Sequence, residues 1–227
     1  MVKIERRITD KTEAARSSLI EAKKQDSGYN TEEVNVALQE IFYGKCYICE
    51  NKEATSYQIE HLVPHRNNID IKYDWDNLFL SCAHCNNTKL GKYEPILDCT
   101  KEDVDNRIAF RKKGYFGTEE ILEFIPLDME EKVVNTVRLL EDVYNGTTPQ
   151  KKMEAKLIRR KLRNELSSFK EYIREYREAE EGEEKEDLLY QIRKELKASS
   201  SFTAFKRWLV KDNREYYPEL ADLLQVG

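Results

Sequence analysis

Two Cys-x-x-Cys pairs, Cys46-Tyr47-Ile48-Cys49 and Cys82-Ala83-His84-Cys85, stand 32 residues apart and constrain this chain more than any other feature. Each pair makes a tight turn that brings two thiolates to one side, and two such turns complete a tetrahedron around one ion. Two disulfides, or four ordinary buried cysteines, are the bland alternatives. The first needs an oxidising compartment, and the start of the chain, Met1-Val2-Lys3-Ile4-Glu5-Arg6-Arg7, lacks the apolar core of a signal peptide. The second does not account for the paired spacing. The four cysteines are therefore expected to hold a structural Zn²⁺, because four thiolates leave no open position for a water. In a segment with few large apolar residues, binding that ion supplies much of the local folding free energy.

Between the pairs, Ser56-Tyr57-Gln58-Ile59 reads as a short strand and Leu78-Phe79-Leu80 as a second, followed by a helical turn ending at Leu90-Gly91. His61 closes the first strand beside Glu60, and Asn86 opens the helix just after the last cysteine, so one ion would fix both at close range. Upstream, Thr12 to Lys24 suggests a short amphipathic helix. Thr31 caps a better one, with Val34, Ala37, Leu38, Ile41 and Phe42 on one face and Gly44 as its stop. That helix delivers the chain to Cys46 and is read as scaffold packed on the metal centre.

Glu60-His61, Asn77 and Asn86, interleaved with the two cysteine pairs, resemble the HNH nuclease motif of the ββα-metal superfamily. The resemblance implies that His61 is the general base for a water, that Glu60 and Asn86 hold one divalent cation against the scissile phosphate, and that Asn77 pins the loop carrying the histidine. Asn86 stands where many members have a final histidine; a carboxylate, an amide oxygen and water suit Mg²⁺ better than a softer ion. The chemistry is coherent on physical grounds too. Hydrolysing a phosphodiester needs an activated water, a cation against the phosphoryl oxygens and help for the leaving oxygen. A histidine with an ordinary pKa of about 6.5 accepts a proton near neutral pH, worth on the order of 10²–10⁴ in rate.

Lys89, one helical turn after Asn86, either contacts a phosphate or is a solvated lysine satisfying the helix end. In the loop Pro64-His65-Arg66-Asn67-Asn68, Arg66 is the better phosphate contact, while His65 is read as a solvated loop histidine before a metal or DNA contact. His84, between two zinc ligands, is expected to point outward. Tyr73 and Trp75 are expected to pack against the zinc module rather than stack on bases, and Cys99 to be a bystander.

In the second half, a loop through Tyr93 to Asp98 leads to an expected helix over Lys101 to Arg111 and a hairpin from Tyr115-Phe116 to Ile121–Ile125. Asp128 with Glu131 reads as a capping box for a helix from Met129 to Tyr144, ended by Asn145-Gly146. Thr148-Pro149 starts another, with a stripe of Leu157, Leu162, Leu166, Phe169, Ile173 and Tyr176 opposite Lys151, Lys152, Lys156, Arg159, Arg160, Lys161 and Arg163. That basic run is either a solvated face or a phosphate-contacting ridge. The acidic run Glu178 to Asp187 is expected to be a turn, with shorter helices after it.

Charged residues make up 36% of the 227, against about 25% in ordinary domains. No apolar run reaches the roughly 18 residues of a membrane span, so a cytoplasmic protein is expected. The net charge of −5 is unusual for a protein that grips DNA alone, which asks for segregated charge or a partner. Tyr57-Gln58-Ile59-Glu60-His61 with Pro64 beyond it, then Asp74-Trp75-Asp76-Asn77-Leu78 and a helical second half, are similar to the HNH nuclease subunit of Septu-type anti-phage systems, also found with retrons. Leu62-Val63 and His65 depart from the Phe-Arg-Pro-Lys of that group. This resemblance implies an ATPase partner subunit, DNA cleavage on infection and a bacterial source.

The expected fold is α+β, mostly α: an N-terminal helical segment over 1–44, a zinc-clamped ββα nuclease module over 45–126 and a C-terminal helical domain over 127–227. The expected function is a DNA endonuclease with structural Zn²⁺ and catalytic Mg²⁺ or another divalent cation. A zinc-stabilised nucleic-acid- or protein-binding adaptor with an inactive site, and an RNA-cleaving toxin, are the alternatives.

Overall fold

The computed structural model of the chain describes residues 1–113 and 121–224. Its first helix, α1 (Asp10–Lys24), starts at a capping box in which the Thr9 hydroxyl accepts from the Thr12 N–H and Thr12 returns a bond to the Thr9 backbone. Asp10 and Glu13 sit in its first turn and Lys23 and Lys24 in its last, matching the helix dipole. α1 buries Ala15, Leu19 and Ala22, and α2 (Glu32–Ile41), capped by Thr31, buries Val34, Ala37, Leu38 and Ile41.

β1 (Tyr57–His61) pairs antiparallel with β2 (Leu78–Cys82), with Glu60 opposite Phe79 and His61 opposite Leu78. The connection contains α3 (Ile69–Lys72) and a 3-10 turn over Trp75–Asn77. α4 (Ala83–Lys89) follows β2 without a loop, completing a ββα unit. β2 is buried along its whole length. Phe42, Tyr47 and Phe79 form a ring cluster beneath it, and the Arg6 guanidinium lies over Phe42, Trp75 and Phe79. Trp75 and Tyr73 are both buried, and the Tyr73 hydroxyl donates to the Ser27 carbonyl at 2.5 Å.

The helix expected over Lys101 to Arg111 does not form. A turn around Asp98 and a 3-10 turn over Val104–Asn106 lead into β3 (Ile108–Lys113), which pairs antiparallel with β4 (Ile121–Pro126). Phe110 opposite Phe124, with ring centroids 5.3 Å apart, gives β3 a tertiary partner that outweighs the helix-compatible composition of the segment. The expected hairpin start at Tyr115-Phe116 lies outside the described residues.

α5 (Glu131–Asn145) begins two residues later than the expected Met129, and Asp128 does not cap it. The Asp128 carboxylate is taken by Arg107, at 2.9 Å from both Nε and Nη2. Gly146 ends α5 with φ +73, and a Cβ there would meet the Lys152 backbone nitrogen at 2.5 Å, so glycine permits α6 to start close by. α6 (Pro149–Glu178) is capped by the Thr148 hydroxyl and buries Ala155, Ile158, Leu162, Leu166 and Phe169. Leu157, expected in that stripe, is 52% exposed; the neighbouring Ile158 lies on the buried face one helical step away.

α7 (Glu183–Glu195) returns along α6 after a turn that carries part of the acidic run, and α8 (Thr203–Asp212) and α9 (Pro218–Asp222) follow. The main core takes residues from Met1 to Trp208, and a smaller one gathers Phe169, Ile192, Leu196, Val210 and Leu220. The architecture is α+β and mostly α. Among the described residues no helix is long and apolar enough to cross a membrane.

Candidate metal centre and active site

Cys46 and Cys49 lie on a turn closed by the Glu50 N–H donating to the Cys46 carbonyl, and the Tyr47 N–H ties that turn to Leu80 in β2. Cys82 ends β2 and Cys85 lies in the first turn of α4. All four are free and buried, and their sulfurs lie within 4.8 Å of one another, Cys49 and Cys82 at 3.8 Å. Four bonds of about 2.3 Å to a tetrahedral ion put the sulfurs about 3.8 Å apart, so the cluster has the size of a tetrathiolate metal site. Burial opposes charge on Cys46, but bonds from Cys49, Cys82 and Cys85 pull its thiol well below the ordinary range; Cys49 is pushed up by its bonds to Cys46 and Cys82, and Cys85 chiefly by burial. Metal ligation requires the thiols to lose their protons, so a bound ion is what lets these buried thiols ionise together.

Ionic contacts join this centre to the rest of the chain. The buried Glu50 carboxylate meets Lys45 Nζ at 3.0 Å, the Met1 amine at 3.3 Å and the Ala204 N–H at 2.9 Å. Burial works against its charge, yet those partners hold its pKa down at about 2. His84 does not point outward. Its Nδ1 lies 2.6 Å from Glu154 of α6 and its Nε2 2.8 Å from the Val143 carbonyl of α5, because α4 packs on α5 through that face.

Glu60 and His61 sit at the end of β1 against α4. Glu60 is 5% exposed, and among the described residues its buried Oε1 makes no hydrogen bond of ordinary geometry, although the buried Tyr47 hydroxyl, which makes none either, is close enough to interact with the carboxylate. Its Oε2 lies 3.7 Å from Lys89 Nζ, which also donates to the His61 carbonyl at 2.7 Å. Burial raises the Glu60 pKa to about 7 against the pull of Lys89. Lys89 is itself 2% exposed, not solvated, because the last turn of α4 packs on β1.

The His61 Nε2 lies 2.9 Å from the Lys72 carbonyl. A carbonyl only accepts, so Nε2 carries the proton and Nδ1 has the free lone pair. Burial lowers the pKa of the ring, favouring its neutral form. Tyr29 stands edge-on to it at 4.5 Å and His65 tilts against it at 4.8 Å. His65 is half-buried, its Nδ1 accepting the Asn67 N–H at 3.2 Å. Arg66, exposed, pairs with Glu94 at 3.1 Å.

Asn77 clamps the intervening loop from both sides: its Oδ1 accepts the Val63 N–H at 2.8 Å and its Nδ2 donates to the Val63 carbonyl at 2.8 Å and to Ile71 at 3.3 Å. Asn86 donates its Nδ2–H to Gln58 Oε1 at 2.7 Å, and among the described residues its Oδ1 takes no hydrogen bond. Two neighbours of the site are new relative to the sequence reading. Gln58 shares a strand face with Glu60, as a two-residue period would have indicated. Tyr29 arrives from the loop between α1 and α2, and nothing local in the sequence signals it; its hydroxyl pKa is raised by burial and by Glu60.

Residues 46–91 match the sequence model of the HNH endonuclease family. Among curated proteins, the chain is 32% identical over 81 residues to the Septu protein PtuB of Bacillus thuringiensis, covering 33% of this chain and 32% of that protein. It is 32% identical over 115 residues to the Septu protein PtuB of Bacillus mycoides (strain KBAB4), covering 44% of this chain and 37% of that protein. The chain thus matches about a third of the length of these curated relatives. No solved structure matches it significantly.

Proposed function

We propose that the chain is a metal-dependent endonuclease that hydrolyses DNA phosphodiesters, acting as the nuclease of a bacterial anti-phage assembly with an ATPase partner. The observation that carries the reading is a neutral histidine whose Nδ1 makes no hydrogen bond among the described residues, next in the chain to a buried carboxylate with one oxygen that makes none there either, both at the end of one strand. The matches to the HNH endonuclease family and to the two Septu proteins support it.

His61 takes a proton from water at Nδ1, while Lys72 fixes the ring through Nε2. Asn77 keeps the loop that follows His61 in one place, so the ring does not have to be reoriented during the reaction. Glu60 and Asn86 are the residues that would hold the divalent cation. An unpartnered buried carboxylate oxygen is costly unless a cation takes it, so Glu60 fits that role. All-oxygen ligands suit a hard ion such as Mg²⁺. When bound, that ion supplies positive charge to the phosphoryl and leaving oxygens. Lys89 ties Glu60 to the His61 carbonyl and helps keep it ionised. The four cysteines hold Zn²⁺ as a structural ion with no open position.

The same Lys89 favours a second reading, a binding module that does not cut, because its ammonium already gives Glu60 a buried cation. Plasmid nicking with Mg²⁺ and the partner present separates the two, with RNA offered in parallel. The nuclease reading expects wild-type nicking of DNA and its loss in His61→Ala with zinc and melting unchanged. Undiminished nicking by that variant sinks it, and a wild-type chain inert on both nucleic acids selects the second reading.

A further inference from the structure

We infer that the outward edge of the first half of α6 is a binding track for the phosphate backbone of nucleic acid, formed by Lys152, Lys156 and Arg160. What then happens to the bound strand rests on the nuclease reading above; the binding itself does not.

The inference comes from how the chain spends its cations. On α1, Lys11 pairs with Glu40, Arg16 with Asp76, Lys23 with Asp70 and Lys24 with Glu21. Around the second sheet, Arg107 meets Glu102, Asp128 and Glu130, and Arg111 meets Asp212. Residues 149–163 break this habit, with seven lysines and arginines against one acid, Glu154. That acid is already engaged by His84 and Gln150.

Three of the seven fasten α6 to its neighbours. Lys151 Nζ donates to the Asn87 carbonyl at 3.2 Å, next to Asn86, and Arg159 donates to the Tyr144 carbonyl. Lys161 donates to the Glu53 carbonyl and meets its carboxylate at 3.2 Å. Arg163 is likewise engaged. The remaining three, Lys152, Lys156 and Arg160, are exposed and make no ion pair among the described residues. Their spacing of four residues keeps them along one edge, spanning about 12 Å of helix, which is about three phosphates along one strand.

Like charges at this spacing cost helix stability rather than add to it, so the arrangement is stabilised only when an anion lies along it. Arg160 also lines a cleft of about 370 Å³ between α6 and the nuclease module, with Thr55, Ser56 and Lys161 on its walls. The opposite end of the helix points the other way electrically. Residues 178–187 hold seven acids and one lysine, about 45 Å from the start of α6. The helix is therefore basic where it touches Asn87 and acidic where it leaves the module. A net-negative chain can attract a polyanion at one place and repel it elsewhere, delivering it beside Asn86.

The test uses the full chain with its zinc retained and a fluorescent duplex DNA, in buffer without added divalent cation so that cleavage does not intervene. Lys152→Glu, Lys156→Glu and Arg160→Glu are combined in one variant. The control combines Lys170→Glu, Arg193→Glu and Lys194→Glu, an equal change of net charge elsewhere. The track predicts at least a tenfold loss of affinity for the first variant, with the slope of log affinity against log salt reduced by about 2.7. It predicts a loss of about twofold or less for the control. Equal weakening by both variants, no weakening by the first, or no DNA binding by the wild type overturns it. Weakened binding by the first variant alongside a wild type that does not nick would refute the nuclease reading and leave the track standing. Normal nicking by that variant at limiting DNA concentration would do the reverse.

Discussion

The four-cysteine cluster and the Glu60–His61–Asn86 group lie within the same 46 residues, but their side chains are satisfied in opposite ways. Cys46, Cys49, Cys82 and Cys85 are all buried, all within 4.8 Å of each other, and complete as a ligand set for one ion. Glu60 is just as buried, but among the described residues one of its oxygens, the Asn86 amide oxygen and His61 Nδ1 make no hydrogen bond. The first centre has the arrangement of a site ordered by a metal. The second is ordered by backbone and lysine contacts made from outside it: Lys72 on the ring, Lys89 on the carboxylate, Asn77 on the loop. A full ligand set fits a structural ion, and the unsatisfied oxygens of the second group fit the proposed exchangeable ion.

The largest expected effect breaks the first centre. Cys85→Ser, or stripping the zinc with a strong chelator, should abolish cooperative folding of the ββα unit, since structural zinc contributes about 10–16 kcal/mol in small modules; zinc content and circular dichroism report it. A metal-free variant with an intact melting transition would remove the distinction. Next, Glu50→Gln should cost about 3–5 kcal/mol in chemical denaturation, because it leaves Lys45 buried without its counter-charge. That cost would locate the rigidity of the cysteine turn in its contacts with α8 as well as in the ion.

The second centre has a pH signature. With the Glu60 pKa raised to about 7 from 4.5, its contribution to stability is complete below 4.5 and is lost as the pH rises through about 7. The full loss is about 3 kcal/mol. His61 acts with the opposite sign, burial favouring its neutral form, so the difference between wild type and Glu60→Gln isolates the carboxyl. Added Mg²⁺ should shrink the loss, and a wild type whose pH profile matches that of Glu60→Gln would contradict it. Smallest is Thr31→Ala, which removes the cap of α2 at about 1 kcal/mol and should leave both centres untouched in zinc content and nicking.

What the sequence made legible was local. Paired cysteines, the alternation around Ile59 and Phe79, and the caps Thr31 and Thr148 act over a few residues, and the ββα unit with its flanking helices followed from them. What it concealed depends on distant partners. The end of the Lys101–Arg111 segment is a strand because β4 pairs with it, and Asp128 does not cap α5 because the helix starts beyond it at Glu131 while its carboxylate is held by Arg107 and the Glu130 N–H. Lys89 is buried against β1 and His84 is half-buried against α5, because both elements pack on α4. The edge of Tyr29 on His61 joins residues 32 positions apart, with α2 and the first cysteine pair between them. Within the basic run of α6, sequence could not separate the cations that fasten the helix from those that face outward.

The separation of the two centres is tested most directly by measuring metal content and nicking on the same samples. After mild chelation the chain should retain one zinc and its fold, lose nicking, and regain it on addition of Mg²⁺ alone, with Glu60→Ala unable to recover. Nicking that tracks zinc content and ignores Mg²⁺ would place the chemistry on the cysteines and contradict the division between them.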